Sequence, residues 1–169
     1  GHRVVQSEYA ETLQTIAAEG IAAFYDGAIG AALTEYMAKS GGLITQADLA
    51  ECAPIDRHAI HGSYRGYEII GPPPPASSGL HIAQMLKILE GFDLAEMGFG
   101  SVEATHLLIE ALKIAFADRV ASTADPAFVD VPVERLLDPA YAAERRAQIR
   151  LDTTQDWGPG VQVHESDHT

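Results

Sequence analysis

His164, Glu165, Asp167 and His168 crowd the end of the chain, and two histidines four apart could grip a metal from one helix face. No apolar period runs through that stretch, and Gly158 and Gly160 precede it, so a solvated tail is the plainer reading. His58 and His61 flank an expected turn and read as polar surface. Asp118-Arg119 could act as a catalytic pair, but a structural ion pair or cap accounts for it with less. Cys52 has no activating neighbour in sequence and reads as an inert small apolar residue. GxSxG, a P-loop and a GxGxxG between strand and helix are all absent. Spacing alone therefore assembles no active site, and neither a metal nor a cofactor is expected.

The elements that must position any chemistry are mostly helices. Residues 7–18 carry Ala10, Leu13, Ile16 and Ala17 at helical spacing, with Ser7 as the expected N-cap. A second helix is expected over 27–39, ending at Gly41-Gly42. Thr45 and Asp48 open a short third one. Residues 53–71 change character: Ile55, His58, Ile60, Tyr64 and Tyr67 to Ile70 predict two strands around a turn at His61-Gly62-Ser63. Pro72 to Pro75 end the strand and read as a rigid connector. A helix over 79–91 follows, then the longest over 101–121, with Leu107, Leu108, Ala111, Leu112, Ala115 and Phe116 as its buried face. Short helices are expected over 133–137 and 139–149, the second opening on Pro139. Residues 150–169 are polar and aperiodic.

Composition bounds the class. The chain has 169 residues, 47% apolar and 21% charged, enough to bury a core. Acidic residues outnumber basic ones 24 to 11, for a net charge of −13. That balance lacks the basic patches that nucleic acid or an anionic membrane surface requires. One cysteine excludes an internal disulfide framework. No apolar run reaches the roughly 18–20 residues of a membrane span. The chain opens Gly1-His2-Arg3 without a signal peptide, as expected of a tag scar or of a start inside a longer protein.

Several strings together resemble the gamma-glutamyltranspeptidase family. Gly41-Gly42-Leu43-Ile44-Thr45-Gln46-Ala47-Asp48-Leu49 is similar to the family's "GG-(L/M)-(M/I)-T-x-x-D-L". Tyr64-Arg65-Gly66-Tyr67, then Pro72 to Pro75 and Ser77-Ser78-Gly79, follow its order. Leu86 to Phe92 resembles "LNILEGF", with Lys87 where Asn is usual. His106, Glu110, Ala117-Asp118-Arg119 and Asp125-Pro126 resemble its helix pattern. Tyr9 to Leu13 resembles "LAxTL", with Tyr9 where Leu is usual, and Ala23 to Gly27 resembles "AFYxG". These matches run in order from about residue 3 to residue 169.

The resemblance implies a precursor that cuts itself into a large and a small subunit, whose new N-terminal threonine is the nucleophile. It implies an α+β fold: a mostly helical fragment with a short strand region, part of the αββα sandwich of an N-terminal-nucleophile hydrolase. The chain resembles the later part of the large subunit, with 1–149 as a partial domain and 150–169 as a mobile tail leading to the processing site. Glu165-Ser166-Asp167-His168-Thr169 resembles that site, which implies cleavage between His168 and Thr169, with Thr169 as nucleophile. The implied partners are the small subunit, the earlier large-subunit segment and γ-glutamyl small molecules, among them glutathione. Cephalosporin-acylase-like and oxamate-amidohydrolase-like enzymes share the family, and a catalytically inactive stand-alone fragment is the non-enzymatic alternative. Many members are exported, which makes a periplasmic or secreted location the family expectation.

Overall fold

A threonine followed three residues later by an aspartate can close a helix start from both sides, and Thr45 and Asp48 do so. The Thr45 hydroxyl accepts from the Asp48 backbone N–H at 3.3 Å, and the Asp48 carboxylate accepts from the Thr45 backbone N–H at 2.7 Å. This capping box starts α4, Gln46–Glu51. Three helices precede it: α1 (Ser7–Glu19), α2 (Ala22–Tyr25) and α3 (Ala28–Ser40). Ser7 is the first residue of α1 rather than its cap, and no side chain caps that end. Helix α3 stops at Gly41, whose φ of 75° is the left-handed cap expected there. The four residues of α2 are too few to show a period, so the sequence did not signal them.

The computed structural model describes residues 1–162. The chain divides into two compact units, Gly1–Asp56 and Arg57–Thr169. The second opens with a hairpin of β1 (Ile60–Tyr64) and β2 (Tyr67–Gly71), paired antiparallel with Gly62 opposite Ile69. The turn is therefore Arg65-Gly66, not His61-Gly62-Ser63, which lies inside β1. Both turn residues have positive φ, 49° and 84°, the conformation that lets a two-residue loop follow the strands' twist. The arginine is held there by contacts: its backbone N–H donates to Glu90 at 2.6 Å and its guanidinium to the Phe92 carbonyl at 2.9 Å.

Helix α5 (Ser78–Leu89) packs against β1, β2 and three further helices: α7 (Val102–Ser122), α8 (Val133–Leu137) and α9 (Pro139–Ala147). The short α6 (Leu94–Met97) is capped by Asp93, which accepts from two backbone N–H groups at 3.1 Å. One apolar cluster joins Ile88, Leu89, Leu107, Ala111, Ile114 and Ala142; a second joins Ile60, Leu80, Val131, Leu136 and Tyr141. Full burial of each leucine or isoleucine there contributes about 1.5–3 kcal/mol.

The buried side of α7 is rotated from the expected face. Leu108 and Phe116 are about half exposed, while Leu107, Ala111, Ile114 and Ala115 are buried together with Glu110, Asp118 and Ser122. The acidic members of the stripe explain the difference: a reading that admits only apolar residues to the core rotates the helix away from its two carboxylates. The fold is α+β and mostly helical, with a two-stranded sheet. No helix among the described residues is long and apolar enough to cross a membrane.

Candidate functional site

His168 and Thr169, the expected cleavage pair, lie outside the described residues, as do His164, Glu165 and Asp167. The chain that leads toward them is described as far as 162. Residues 150–162 form no helix or strand, yet this strap is fastened to the second unit along its length. The Gln155 side chain donates to the Gln148 carbonyl at 2.9 Å and accepts from the Arg150 backbone N–H at 2.6 Å. The Arg150 carbonyl accepts from His106 Nε2 at 2.9 Å, which requires the proton on that nitrogen.

Two carboxylates of α7 take the next contacts. Glu110 is fully buried. It accepts from Lys113 Nζ at 2.9 Å, from the Thr154 hydroxyl at 3.1 Å and from the Trp157 indole N–H. Burial alone would push this carboxyl up; the bonds from Lys113, Trp157 and Thr154 outweigh burial and hold it below its usual range. Arg145 donates to the Gly158 carbonyl at 2.8 Å and lies over the Trp157 ring, 5.2 Å from its centroid.

Asp118 is also fully buried. One oxygen accepts from Gln84 Nε2 and from the Tyr141 hydroxyl, both at 2.6 Å. The other accepts from the Gly160 backbone N–H at 2.7 Å. Behind Gln84 its own oxygen meets His81 Nδ1 at 2.9 Å, and His81 Nε2 meets the Thr123 hydroxyl at 2.6 Å. The Gln84 amide oxygen can only accept, so His81 Nδ1 carries the proton, and in the neutral ring Nε2 accepts from the Thr123 hydroxyl. Burial lowers the His81 pKa and keeps the ring neutral. Burial, and then the bond to Asp118, push the Tyr141 hydroxyl far above its usual range, so it stays a donor.

Asp118 and Arg119 do not form the expected ion pair. Adjacent helical residues point about 100° apart: Asp118 faces the core, while Arg119 donates to the Ser77 hydroxyl at 2.9 Å and lies over Phe116. Cys52 is exposed, and a hydrogen bond with it raises the pKa of the half-buried Tyr25 hydroxyl. His61 pairs across the hairpin with Glu68 at 3.1 Å and is exposed, as is His58. Among the described residues no three His, Cys, Asp or Glu side chains gather where a metal could bind. Reasoning from spacing missed Gln84, Tyr141, Thr154, Trp157 and Gly160. The one signal for them was a lone tryptophan in a polar stretch rich in Gly and Pro.

Comparison with known proteins places the chain in a family. The Gamma-glutamyltranspeptidase family model matches residues 1–169. The chain is 62% identical over 169 residues to the acylase ACY 1 proenzyme of Pseudomonas sp. strain SE83, covering 100% of this chain and 30% of that protein. It is 44% identical over 152 residues to the glutathione hydrolase proenzyme of Escherichia coli strain K12, covering 90% of this chain and 26% of that protein. The crystal structure of Helicobacter pylori gamma-glutamyltranspeptidase superimposes with a TM-score of 0.89 at 38% identity, covering 99% of this chain and 49% of that one. The chain thus spans less than a third of the length of these two proenzymes.

Proposed function

Because the chain belongs to the gamma-glutamyltranspeptidase family, we propose that it is the part of a γ-glutamyl-transferring or glutathione-hydrolysing enzyme that runs up to the self-cleaved bond. The observation that carries this reading is the unbroken family match over 1–169 together with likeness to proenzymes. In this reading 1–149 is a partial domain of the large subunit, and 150–169 leads to the bond between His168 and Thr169. The two units contribute to an αββα sandwich completed by the small subunit and the earlier large-subunit segment.

The chemistry follows from the nucleophile. A threonine hydroxyl needs a base, and a free α-amino group on the same residue, with a pKa of about 7.7–8.0, supplies one near neutral pH. Inside a peptide bond that nitrogen is an amide and has no such basicity, so Thr169 works only once the bond before it is cut. Its hydroxyl then attacks a γ-glutamyl amide, donors hold the oxyanion, and water or an acceptor amine resolves the acyl-enzyme.

The 62% identity to an acylase proenzyme, with likeness to the cephalosporin acylase of Bacillus halodurans at 35% identity and a TM-score of 0.77, favours a second reading, in which the acyl group taken by Thr169 belongs to a cephalosporin-type amide. Purified full-length precursor tests both. Intact mass should show two chains, the smaller beginning with Thr169, and Thr169→Ala should stay whole. Turnover of γ-glutamyl-p-nitroanilide supports the first reading; turnover of an acylated cephalosporin alone supports the second. A precursor that stays whole and turns over neither would overturn both.

A further inference from the structure

The strap has contacts more specific than a connecting loop needs. Glu110 and Asp118 are eight residues apart on α7 and fully buried. Each is held by side chains of the helices, Glu110 by the part-exposed Lys113 and Asp118 by the buried Gln84 and Tyr141. Each then offers its remaining acceptor capacity to the strap, to Thr154 and Trp157 or to Gly160. Buried carboxylates are costly in a core whose packing an apolar residue could serve. Here their outward acceptors meet a surface segment that has no ladder of its own, and Arg145 grips the Gly158 carbonyl between them.

We propose that Glu110 and Asp118 are positioning residues for self-cleavage: they clamp residues 154–160 of the strap, the chain that leads toward the cut bond, in one place on the second unit. The proposal rests on the reading of His168–Thr169 as the processed bond. That cleavage is a hydrolysis, consuming one water and leaving a carboxylate on His168 and an amine on Thr169. Its rate depends on how often the bond meets the groups that cut it, and so on how firmly the chain before it is held.

Asp118→Asn separates the clamp from the core. The amide oxygen can still accept from Gln84 and Tyr141, but its nitrogen then faces the Gly160 N–H, donor against donor. The experiment follows conversion of full-length precursor by intact mass, well below the melting temperature of every variant, with amide exchange read at 154–160. Asp118→Asn should convert more slowly than the unsubstituted precursor, and Glu110→Gln with Asp118→Asn more slowly still, by at least about twofold, both with faster exchange in the strap. Should the double variant fail to fold, Thr154→Val, Trp157→Phe and Gly160→Ala together loosen the strap from its own side, though Arg145 and Gln155 still hold it. A Cβ on Gly160 would lie 2.3 Å from the Tyr141 hydroxyl, while α7 keeps its residues. Faster strap exchange with an unchanged cleavage rate would reduce the clamp to a structural role and overturn the proposal. Unchanged exchange in both multiple variants would overturn it too. A precursor that is never cut, even without substitutions, would sink the self-cleavage reading and this proposal with it.

Discussion

Three neutral donors, and no ion pair among the described residues, surround the Asp118 carboxylate. That makes the protonation of their neighbour His81 matter. Burial holds the folded His81 pKa below its ordinary value near 6.5; Gln84 and Asp118 pull it up, and Arg119 pushes it down, but less strongly. The unfolded chain therefore binds a proton that the folded chain refuses. The neutral-ring contribution to stability is fully present above about pH 6.5 and is lost as pH falls from there toward the folded pKa. Urea unfolding at pH 7.5 and pH 5.5 should show that loss, at most about 1.4 kcal/mol per pH unit. His81→Gln should flatten it, and an equal slope in the variant would assign the effect to other groups. At this scale the sequence was only partly readable. Asp118-Arg119 stood out because the two are adjacent, but Asp118's real partners Tyr141, Gln84 and Gly160 lie 23, 34 and 42 residues away. Sequence proximity pointed to an ion pair that helical geometry separates.

Elements were more legible than partners, because each rests on local rules. The Thr45-Asp48 box, the Gly41 stop and the Pro139 start act within a turn of the chain and appear where expected. The hairpin turn was misplaced because Gly62 drew attention, whereas its real use is lateral. It leaves room for Ala83, which a Cβ on Gly62 would approach to 3.0 Å. A stronger case is the seam where β2 meets α5. A Cβ on Gly79 would lie 2.3 Å from the Pro72 carbonyl oxygen, which is backbone and cannot swing aside. The hairpin therefore seats on α5 only through glycine. Gly79→Ala should destabilise the chain by about 2–3 kcal/mol, as overpacking does. Gly66→Ala, strained only by its φ of 84°, should lose about 1 kcal/mol. Thermal melts of the two variants rank them, and equal losses would show that the seam has slack. The rotated face of α7 belongs to the same lesson: periodicity located the helix, and the donors of Gln84, Tyr141, Lys113 and the strap together explain why two acids lie on its inner side.

Over the whole chain, burial is uneven. In the unit Gly1–Asp56 only Ala23, Gly30 and Leu49 are buried, while Val4, Val5, Tyr9, Leu13 and Ile21 are largely exposed. In the second unit α5 alone buries seven residues. In the reading proposed above, the apolar side chains left open in this unit are where the rest of the enzyme packs; the chain spans 30% of its acylase relative. Opening free energies should differ accordingly. In the 169-residue chain, amides of α1 and α3 should exchange at least about a hundredfold faster than those of α5 and α7. Uniform protection would mean that the first unit is stabilised by something other than its own core. The second unit also holds the chain's one tryptophan. Trp157 lies under the Arg145 guanidinium with its indole N–H on Glu110, so its emission colour and quenching change when the strap lifts from the helices. The chain thus carries its own optical gauge, a fluorophore placed by the fold on the segment that leads to Thr169.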